Sequence, residues 1–552
     1  MALITCPECK RIISEFAISC PSCGYPLREM GAPKNDKESE AKASSAPAPR
    51  RSWKLPPMDL LAKSPSPDSS ILAFISAEKQ ARTIEQTLSS FGCLVRVVDW
   101  TVGPSVTQYA LSLPDGMKVA TVANLSADLA RTLGMDCGLR IFSPVPGTPY
   151  VGLEVPNRKG AAVYPANVLK DAPAGPLQLA IGKDVAAKPV VADLAKMPHL
   201  LIGGTTGSGK GMVMHGLIAS ILMHATPDEV RFIMIDLRRA EFWRYEGIPH
   251  LCTPPVTDPK GASGALVWAV SEVERRLKIL DDAHARDIDA YNDMVEAKDV
   301  PGDDVEVLPR IVIIISELAD LMMCVGKEAE FTIARLAAHG GAVGVHLIIA
   351  TNRPDSSILT GPIKANITNR IALKVPFGIN SRVIIDQTGA ENLIGRCDML
   401  FRTADSPNPT RVQGCWLSDK ETESVVNHWR TQAPEGPAYD EPLLQAIQAA
   451  KDTGSPEMTG KHPAEDSLLW EAADLVVSEN FAITSFIQRK LSVGYSRAER
   501  IMDELEKLGI VGPSCDPRPR EVLVGPEDLA AIRKRVSEPV SNEATEEEPQ
   551  EE

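Results

Sequence analysis

Residues 199–224 constrain the fold most strongly, because an apolar run, a glycine-rich turn and a helix-like segment follow one another there. The run "HLLIGG" leads into "TTGSGK", and "GMVMHGLIASIL" continues with helical spacing. In this context the turn predicts a phosphate-binding loop, whose backbone N–H groups and helix dipole hold phosphates. A glycine-rich turn that binds nothing is the alternative, and the matching context on both sides disfavours it. The predicted nucleotide-binding residues are Gly204, Thr205, Thr206, Gly207, Ser208, Gly209, Lys210, Gly211 and Met212.

Two residues near this loop depart from the usual nucleotide site. The loop pattern normally closes with Ser or Thr, whose hydroxyl binds magnesium, and here the residue is Gly211. The strand-like run "RIVIII" ends in Ser316-Glu317, where Asp-Glu is usual and the Asp helps to bind the metal. Lys210 and Glu317 are the predicted catalytic residues, since Lys210 would contact the β- and γ-phosphates and Glu317 would polarise the attacking water. We therefore expect ATP binding, weakly held Mg²⁺ and slowed hydrolysis.

Several short apolar runs resemble the strand that precedes the loop. They are continuous rather than alternating, and helical stretches separate most of them, which is typical of a parallel sheet covered on both faces. The runs lie at 199–204, 231–236, 310–315, 346–351 and 370–375. The predicted fold class is therefore α/β.

Composition and charge limit the functional classes. The chain is 44% hydrophobic and 24% charged, as in an ordinary globular protein. It contains no apolar run of about 18 residues that could span a membrane, and its first residues lack the pattern of a signal peptide. We therefore expect a cytoplasmic protein without a membrane partner. The net charge of −15 argues against a wholly basic nucleic-acid coat, but not against a local basic surface.

Changes in composition divide the chain into domains and linkers. Pro-, Ser- and charge-rich stretches separate segments with regular apolar patterns, and the end of the chain is acidic. The predicted organisation is a Cys-rich head at 1–28, a disordered linker at 29–69, a small α+β domain at 70–172, the phosphate-loop domain at 173–432, a second linker at 433–465, a helical DNA-binding domain at 466–526 and a tail at 527–552.

The head carries two C-x2-C pairs, formed by Cys6 with Cys9 and by Cys20 with Cys23. Four thiolates in this spacing suit a tetrahedral structural zinc site, and so short a unit has too little core to fold without metal. The pattern predicts one Zn²⁺ in a zinc ribbon. Redox-active thiols or a chance spacing are the alternatives.

The stretch "AITSFIQRKLSVGYSRAERIMDELEKLGIVGP" at 482–513 predicts two helices joined by a short turn, followed by a strand at 520–524. An apolar face at helical spacing points inward in the second helix, and basic side chains lie on the open side. The predicted DNA-binding residues are Arg489, Lys490, Arg497 and Arg500. A domain that contacts protein instead of DNA is the alternative.

Long segments of the chain resemble the FtsK/SpoIIIE family of double-stranded DNA translocases. The resemblance is carried by "GKDVAAKPVVADLAKMPHLLIGGTTGSGK" (182–210), "HLIIATNRPDSSILTGPIKANITNRIA" (346–372) and "SRVIIDQTGAENLIGRCDML" (381–400). It implies an α domain, a RecA-like P-loop motor domain and a C-terminal winged-helix γ domain. It further implies an ATP-driven ring on duplex DNA, as a homo-hexamer or as a mixed hexamer with a paralogue.

The chain also departs from the pattern of the family. Asn352 stands where Gln is usual in the strand that senses the γ-phosphate, and Gly341 stands where Arg is expected. From the resemblance we expect that the Cys-rich head stands in place of the membrane-anchoring segment common in the family. The leading hypothesis is a DNA translocase with slowed ATP hydrolysis. The alternatives are a nucleotide-binding but catalytically deficient DNA-binding ring subunit, and a packaging or conjugation pump, which the C-terminal winged helix disfavours.

Overall fold

The computed structural model shows two compact units, residues 1–451 and 452–552, and each is considered by itself. The described residues are 3–5, 12–14, 52–63, 70–135, 138–145, 147–158, 160–300, 305–406, 408–452, 468–479, 481–491 and, within 498–533, residues 498, 501–502, 504–506, 508–512, 520–526, 528–529 and 532–533. At the start of the chain, strands β1 (Leu3–Thr5) and β2 (Ile12–Ser14) form an antiparallel pair.

A four-stranded antiparallel sheet with helices follows in the region predicted to be a small α+β domain. Its core includes Leu88, Tyr109, Leu129 and Leu153, all fully buried. The strand order is β3-β4-β6-β5. The elements are α1 (Ser70–Ser90), β3 (Arg96–Val102), β4 (Val106–Ser112), α2 (Val119–Asn124), α3 (Ser126–Leu133), β5 (Arg140–Phe142) and β6 (Val151–Pro156).

The phosphate-loop region forms a nine-stranded sheet with helices. The described elements are α4 (Pro165–Leu169), β7 (Gln178–Asp184), β8 (Pro189–Asp193), β9 (His199–Gly203), α5 (Lys210–His224), β10 (Val230–Ile235), α6 (Pro259–Asp282), α7 (Ile288–Ala297), β11 (Arg310–Ile315), α8 (Leu318–Val325), α9 (Lys327–His339), β12 (Val345–Thr351), α10 (Gly361–Asn366), β13 (Asn369–Leu373), α11 (Gly378–Ile385), β14 (Asp398–Arg402), β15 (Thr410–Gly414), α12 (Asp419–Gln432) and α13 (Glu441–Asp452). Short 3-10 helices lie at Met58–Leu60, Phe242–Tyr245, Gly341–Val343 and Ala390–Asn392.

The five apolar runs of the sequence form the parallel part of this sheet, in the order β10-β11-β12-β9-β13. Strands β9, β12 and β13 are buried at every residue, which is why their sequences are continuous rather than alternating. The α/β prediction is confirmed. The sequence pattern missed the antiparallel extension β14-β15-β7-β8, whose strands are less uniformly apolar.

Both predicted linkers contain ordered segments, so for these stretches the predictions are wrong. In the first linker, residues 52–63 pack on α12: the Lys54 backbone N–H donates to Gln432 at 2.8 Å. The ring of Trp53 meets Trp429 edge-on, with the ring centroids 6.2 Å apart. In the second linker, α13 buries Leu443 in the core of the parallel sheet. A few apolar side chains, such as Trp53 and Leu443, anchor these two segments. The average composition of the segments does not reveal such single anchors.

A buried ion network joins the four-stranded sheet to the nine-stranded sheet. Arg411 of β15 donates to Glu154 of β6 at 2.7 Å and to Asp398 of β14 at 2.6 Å. Arg140 of β5 binds the other oxygen of Glu154 at 3.0 Å. Because Arg411 and its two partners are almost fully buried, the network fixes the contact between the two sheets.

The C-terminal unit contains α14 (Leu469–Glu479), α15 (Thr484–Lys490) and helical residues between 498 and 506. Antiparallel bridges join Ala482 to Arg520 and Val511 to Val522. The predicted inward face is confirmed, since these side chains are buried or partly buried: Ala498, Ile501, Met502, Leu505 and Leu508. In the described part of the whole chain, no helix combines the length and apolar character that crossing a membrane would require.

Candidate functional site

The predicted phosphate loop connects β9 to α5 at the carboxyl end of the parallel strands. The Gly204 N–H donates to the Thr351 carbonyl at 3.2 Å, and the Thr205 N–H donates to the Lys374 carbonyl at 3.1 Å. Gly209 has a φ angle of 106°, a backbone conformation that residues other than glycine rarely adopt. Helix α5 begins at Lys210, so its first N–H groups lack intrahelical acceptors and face the position where phosphates bind in such loops.

Close packing beneath the loop also requires glycine. A Cβ at Gly209 would lie 2.5 Å from the Cys397 backbone nitrogen and 2.7 Å from its sulfur. Cys397 in turn donates its N–H to the Ser208 carbonyl at 3.0 Å. Burial raises the pKa of the Cys397 thiol to about 12, so it stays a neutral packing group. The loop is therefore supported by Cys397, which directly precedes β14, as well as by its own strand.

Lys210 and Glu317, the two predicted catalytic residues, are brought together. The Lys210 Nζ lies 3.1 Å from the Glu317 Oε2 and 3.0 Å from the Ser316 carbonyl oxygen. Both side chains are buried, with exposures of 9% and 3%. The predicted role of Lys210 as a phosphate ligand would require this ion pair to open.

The carboxylate of Glu317 is held by neutral donors as well as by Lys210. Thr351 at the end of β12 donates its hydroxyl to Glu317 Oε1 at 2.7 Å. The Asn352 backbone N–H reaches both carboxylate oxygens, at 3.1 and 2.8 Å. The Ala319 N–H donates to Oε1 at 3.2 Å. The predicted sensor Asn352 thus touches the predicted catalytic acid through its backbone.

Ser316, which replaces the usual metal-side carboxylate, bonds to a different acid. Its hydroxyl donates to Asp236 Oδ1 at 2.9 Å, and Asp236 follows the end of β10. Asp236 is 1% exposed, and its Oδ2 accepts the N–H groups of Glu241 at 2.8 Å and of Phe242 at 3.1 Å. Asp236 therefore holds the turn after β10 against the end of β11.

That turn places the Glu241 carboxylate beside Gly211, the closing position of the loop pattern. A Cβ at Gly211 would lie 2.9 Å from each carboxylate oxygen of Glu241. His215 Nε2 is 3.1 Å from Glu241 Oε2, and His215 Nδ1 is 2.9 Å from the Tyr245 hydroxyl. The hydrogen bond from His215 lowers the pKa of Glu241, so its carboxyl is ionised at neutral pH.

A phosphate loop implies a magnesium ion on the nucleotide. The residues present fit that ion, because both carboxylate oxygens of Glu241 lie beside Gly211, where the loop usually carries a hydroxyl. Oxygen ligands of this kind are those that Mg²⁺ prefers. Two carboxylates, Asp236 and Glu241, therefore lie on the side of the site where the sequence alone indicated none.

The other predicted site residues take different positions. Met212 is partly buried, and its sulfur accepts the Leu417 N–H at 3.3 Å. At Gly341, where the family resemblance suggested Arg, a Cβ would lie 2.7 Å from Pro198 Cβ.

Most of the residues predicted to bind DNA or zinc lie outside the described residues. Lys490 is exposed and lies 3.9 Å from Glu479. Arg489 belongs to α15, but its side chain, together with all of Arg497 and Arg500, lies outside the described residues. The four predicted zinc ligands, Cys6, Cys9, Cys20 and Cys23, also lie outside them. Within the described residues, no group of three or more His, Cys, Asp and Glu side chains is arranged to hold a metal.

Four site residues were missed by the sequence reasoning: Asp236, Glu241, His215 and Thr351. Asp236 and Thr351 each stand at the end of an apolar run, and the carboxyl ends of parallel strands meet at one edge of a sheet. That rule could have identified both residues. Glu241 and His215 carry no such signal, because a turn and a helix bring them together only in the folded chain.

Three family profiles match the chain. They are the FtsK alpha domain at residues 55–157, the FtsK/SpoIIIE family at 167–356 and the Ftsk gamma domain at 463–525. Together they cover the region before the loop, the loop with its acid strand, and the C-terminal unit.

Curated proteins with similar sequences carry related names. The chain is 42% identical over 474 residues to the DNA translocase FtsK of Lactiplantibacillus plantarum, which covers 85% of this chain and 59% of that protein. It is 41% identical over 503 residues to the DNA translocase FtsK of Clostridium tetani, with coverages of 90% and 65%. For the DNA translocase SpoIIIE of Bacillus subtilis the identity is 42% over 484 residues, with coverages of 86% and 60%. The chain therefore spans about three fifths of the length of these relatives.

Proposed function

The chain belongs to the FtsK/SpoIIIE family, and from that premise we propose that it is an ATP-driven translocase of double-stranded DNA. The observation that carries the proposal is the buried pair of Lys210 and Glu317 at the end of two parallel strands, beside a phosphate loop. The names of the relatives give no support to the alternative of a catalytically deficient subunit. Slowed hydrolysis stays a prediction.

In this proposal the residues around the nucleotide have separate roles. The loop amides and Lys210 bind the phosphates, while Glu317 orients and polarises the attacking water. Thr351 and the Asn352 amide hold Glu317 in one orientation, which general-base catalysis requires. Bound Mg²⁺ supplies charge neutralisation on the β- and γ-phosphates.

The remaining parts of the proposal concern assembly and DNA. A ring of six subunits, from one chain or mixed with a paralogue, would surround the duplex. The C-terminal unit would act as a winged helix, supported by its helical core and by the bridges of Ala482 with Arg520 and of Val511 with Val522. Its DNA contacts would come from Arg489, Lys490, Arg497 and Arg500.

A zinc ribbon at the head is a further part of the proposal. The antiparallel pair of β1 and β2 brackets Cys6 and Cys9, as expected if the first C-x2-C pair forms the tip of a hairpin. Metal analysis of the full chain should give one zinc per chain, and Cys6→Ser with Cys9→Ser should lose it. Cys324→Ser, which removes an exposed thiol of α8, is the control and should keep the zinc. Native protein without zinc would end this part of the proposal.

The translocase proposal is tested by ATP hydrolysis with and without duplex DNA, and by displacement of a third strand from a DNA triplex. Native protein should show DNA-stimulated hydrolysis and ATP-dependent displacement. Glu317→Gln should lower kcat by at least about a hundredfold, the usual contribution of a general base, and should keep ATP binding. Lys210→Ala should weaken ATP binding itself. Glu423→Gln, an exposed change on α12, should behave as the native protein.

Two results would contradict the proposal. The first is hydrolysis by native protein that duplex DNA does not stimulate, together with no triplex displacement. The second is full activity in Glu317→Gln, which would mean that another residue activates the water.

A further inference from the structure

We propose that Glu241 takes the place of the missing loop hydroxyl and is a protein ligand of the magnesium ion on bound nucleotide. The proposal rests on the nucleotide site of the proposed function and assigns a role to a residue of the turn after β10. It explains how a loop that closes in Gly211 can retain its metal.

Space is the first argument. Both carboxylate oxygens of Glu241 lie 2.9 Å from the position of a Cβ at Gly211, and the carboxyl carbon lies 3.2 Å from it. A serine or threonine side chain would start at that point, so the Glu241 carboxylate lies directly beside the position from which the usual metal-binding hydroxyl extends. The glycine makes this approach possible because it has no side chain.

Orientation is the second argument. The Glu241 N–H is anchored on Asp236 at 2.8 Å, and its Oε2 is paired with His215 at 3.1 Å. His215 lies one helical turn beyond Gly211 on α5 and is itself held by Tyr245 at 2.9 Å. Glu241 Oε1 has no protein hydrogen-bond donor among the described residues, so one oxygen remains available for a cation. When a histidine holds one oxygen of a carboxylate, the carboxylate is already oriented before a metal binds to the other oxygen.

Charge is the third argument. An ionised carboxylate beside a nucleotide triphosphate is repelled unless a cation lies between the two. His215 and, less strongly, Lys210 lower the pKa of Glu241. The Lys210 ammonium is bonded to Glu317, however, and would contact the phosphates when nucleotide binds, so it would not neutralise Glu241 by itself. A divalent ion shared by Glu241 and the phosphate oxygens removes the repulsion.

The two other acids nearby are already engaged. Asp236 accepts three hydrogen bonds, from Ser316, from the N–H of Glu241 and from the N–H of Phe242. Glu317 accepts the ammonium of Lys210, the hydroxyl of Thr351 and two backbone N–H groups. Glu241, whose side chain is 33% exposed, keeps one oxygen without a protein donor among the described residues, and that oxygen lies beside Gly211.

The test uses Mn²⁺ as a spectroscopic substitute for Mg²⁺ on the full chain. The Mn²⁺ affinity of the complex with ADP is measured by electron paramagnetic resonance, and ATPγS affinity is measured with Mg²⁺ and with EDTA. Glu241→Gln should weaken Mn²⁺ binding about tenfold or more, in line with the loss of a metal-site contact. ATPγS binding in EDTA should stay within about twofold of native protein, which also shows that the variant is folded.

Matched variants sharpen the test. Glu246→Gln removes an exposed carboxylate five residues further along the same turn and should leave Mn²⁺ binding unchanged. Adding Gly211→Ser to Glu241→Ala should restore most of the Mn²⁺ affinity that Glu241→Ala loses, because the truncated side chain leaves room for the serine hydroxyl. Glu241→Asp keeps the charge but shortens the side chain, and should also weaken Mn²⁺ binding if Glu241→Gln does not fold.

The results separate this inference from the proposed function. If native protein binds ATPγS and Mn²⁺, but Glu241→Gln and Glu241→Asp bind Mn²⁺ as tightly as native protein, Glu241 is not a ligand and only this inference is overturned. If native protein binds no ATPγS under any condition, the proposed function and this inference both fail.

Discussion

At the scale of single residues, the site depends on how firmly Glu317 is held. Its carboxylate accepts a hydroxyl hydrogen bond from Thr351 and backbone hydrogen bonds from Ala319 and Asn352. These neutral donors remain when Lys210 turns to the phosphates. Thr351 is fully buried, so water cannot replace its hydroxyl. Thr351 is therefore a positioning residue rather than a catalytic one.

Replacing Thr351 by valine should lower kcat about tenfold and leave the Kd for ATPγS within about twofold. The reason is that a carboxylate freed from one donor samples orientations in which it no longer aligns the water, and small misplacements are costly in catalysis. Thr351→Ser keeps the hydroxyl and should retain most of the rate. Single-turnover hydrolysis with separate ATPγS binding measures both quantities. Equal rates for Val and Ser would show that the hydroxyl has no positioning role.

At the scale of elements, the C-terminal unit is built from short helices around one apolar core. Ile487 of α15 is fully buried, as are Ala498, Ile501 and Leu505 in the following helical segment. Lys490, a basic residue at the end of α15, is exposed. A recognition helix presents its side chains to DNA on the side opposite its core.

Arg497→Ala with Arg500→Ala should reduce the preference of the chain for its favoured duplex over a random duplex. A bidentate contact of arginine with guanine is worth about 1–3 kcal/mol of discrimination. Lys490→Ala, by contrast, should weaken both duplexes equally, because a phosphate contact carries no sequence information. Competition binding at fixed salt measures the ratio. An unchanged ratio in the double variant would favour a domain that contacts protein.

At the scale of the whole molecule, the two sheets of the first unit are joined by charges. Arg411 is 2% exposed and lies between Glu154 and Asp398, which belong to different sheets. Burial lowers the pKa of the Arg411 guanidinium. Asp398 and Glu154 raise it by a larger amount, so the pKa lies above its ordinary value. Removing one partner would leave a buried charge without compensation.

Arg411→Met should lower the free energy of unfolding by roughly 3–5 kcal/mol, the usual cost of breaking a buried ion pair from one side. The control is Arg402→Met on the neighbouring strand β14, where Arg402 pairs with the half-exposed Asp386. That change should cost no more than about 1 kcal/mol. Urea unfolding followed by tryptophan fluorescence compares the two. Equal losses would mean that the network does not hold the sheets together.

Local patterns in the sequence determined the parallel sheet, the phosphate loop, Lys210 and Glu317. A strand buried on both faces must be continuously apolar, and a phosphate loop needs its glycines at fixed spacing. The inward face of Ile501 and Leu505 followed from the same kind of local rule. The helical period alone decides which side chains share a face.

Tertiary structure decided what depends on contacts between distant segments. The antiparallel extension of the sheet, the docking of residues 52–63 and the ion network of Arg411 join segments hundreds of residues apart, as Arg411 and Glu154 show at a separation of 257 residues. The same holds for the metal side of the site. From the sequence alone, Gly211 and Ser316 are interpreted as the loss of two magnesium ligands. The fold, however, brings Glu241 next to Gly211 and Asp236 next to Ser316. Side-chain chemistry can be supplied from any segment that packs there, and no local pattern records which one does.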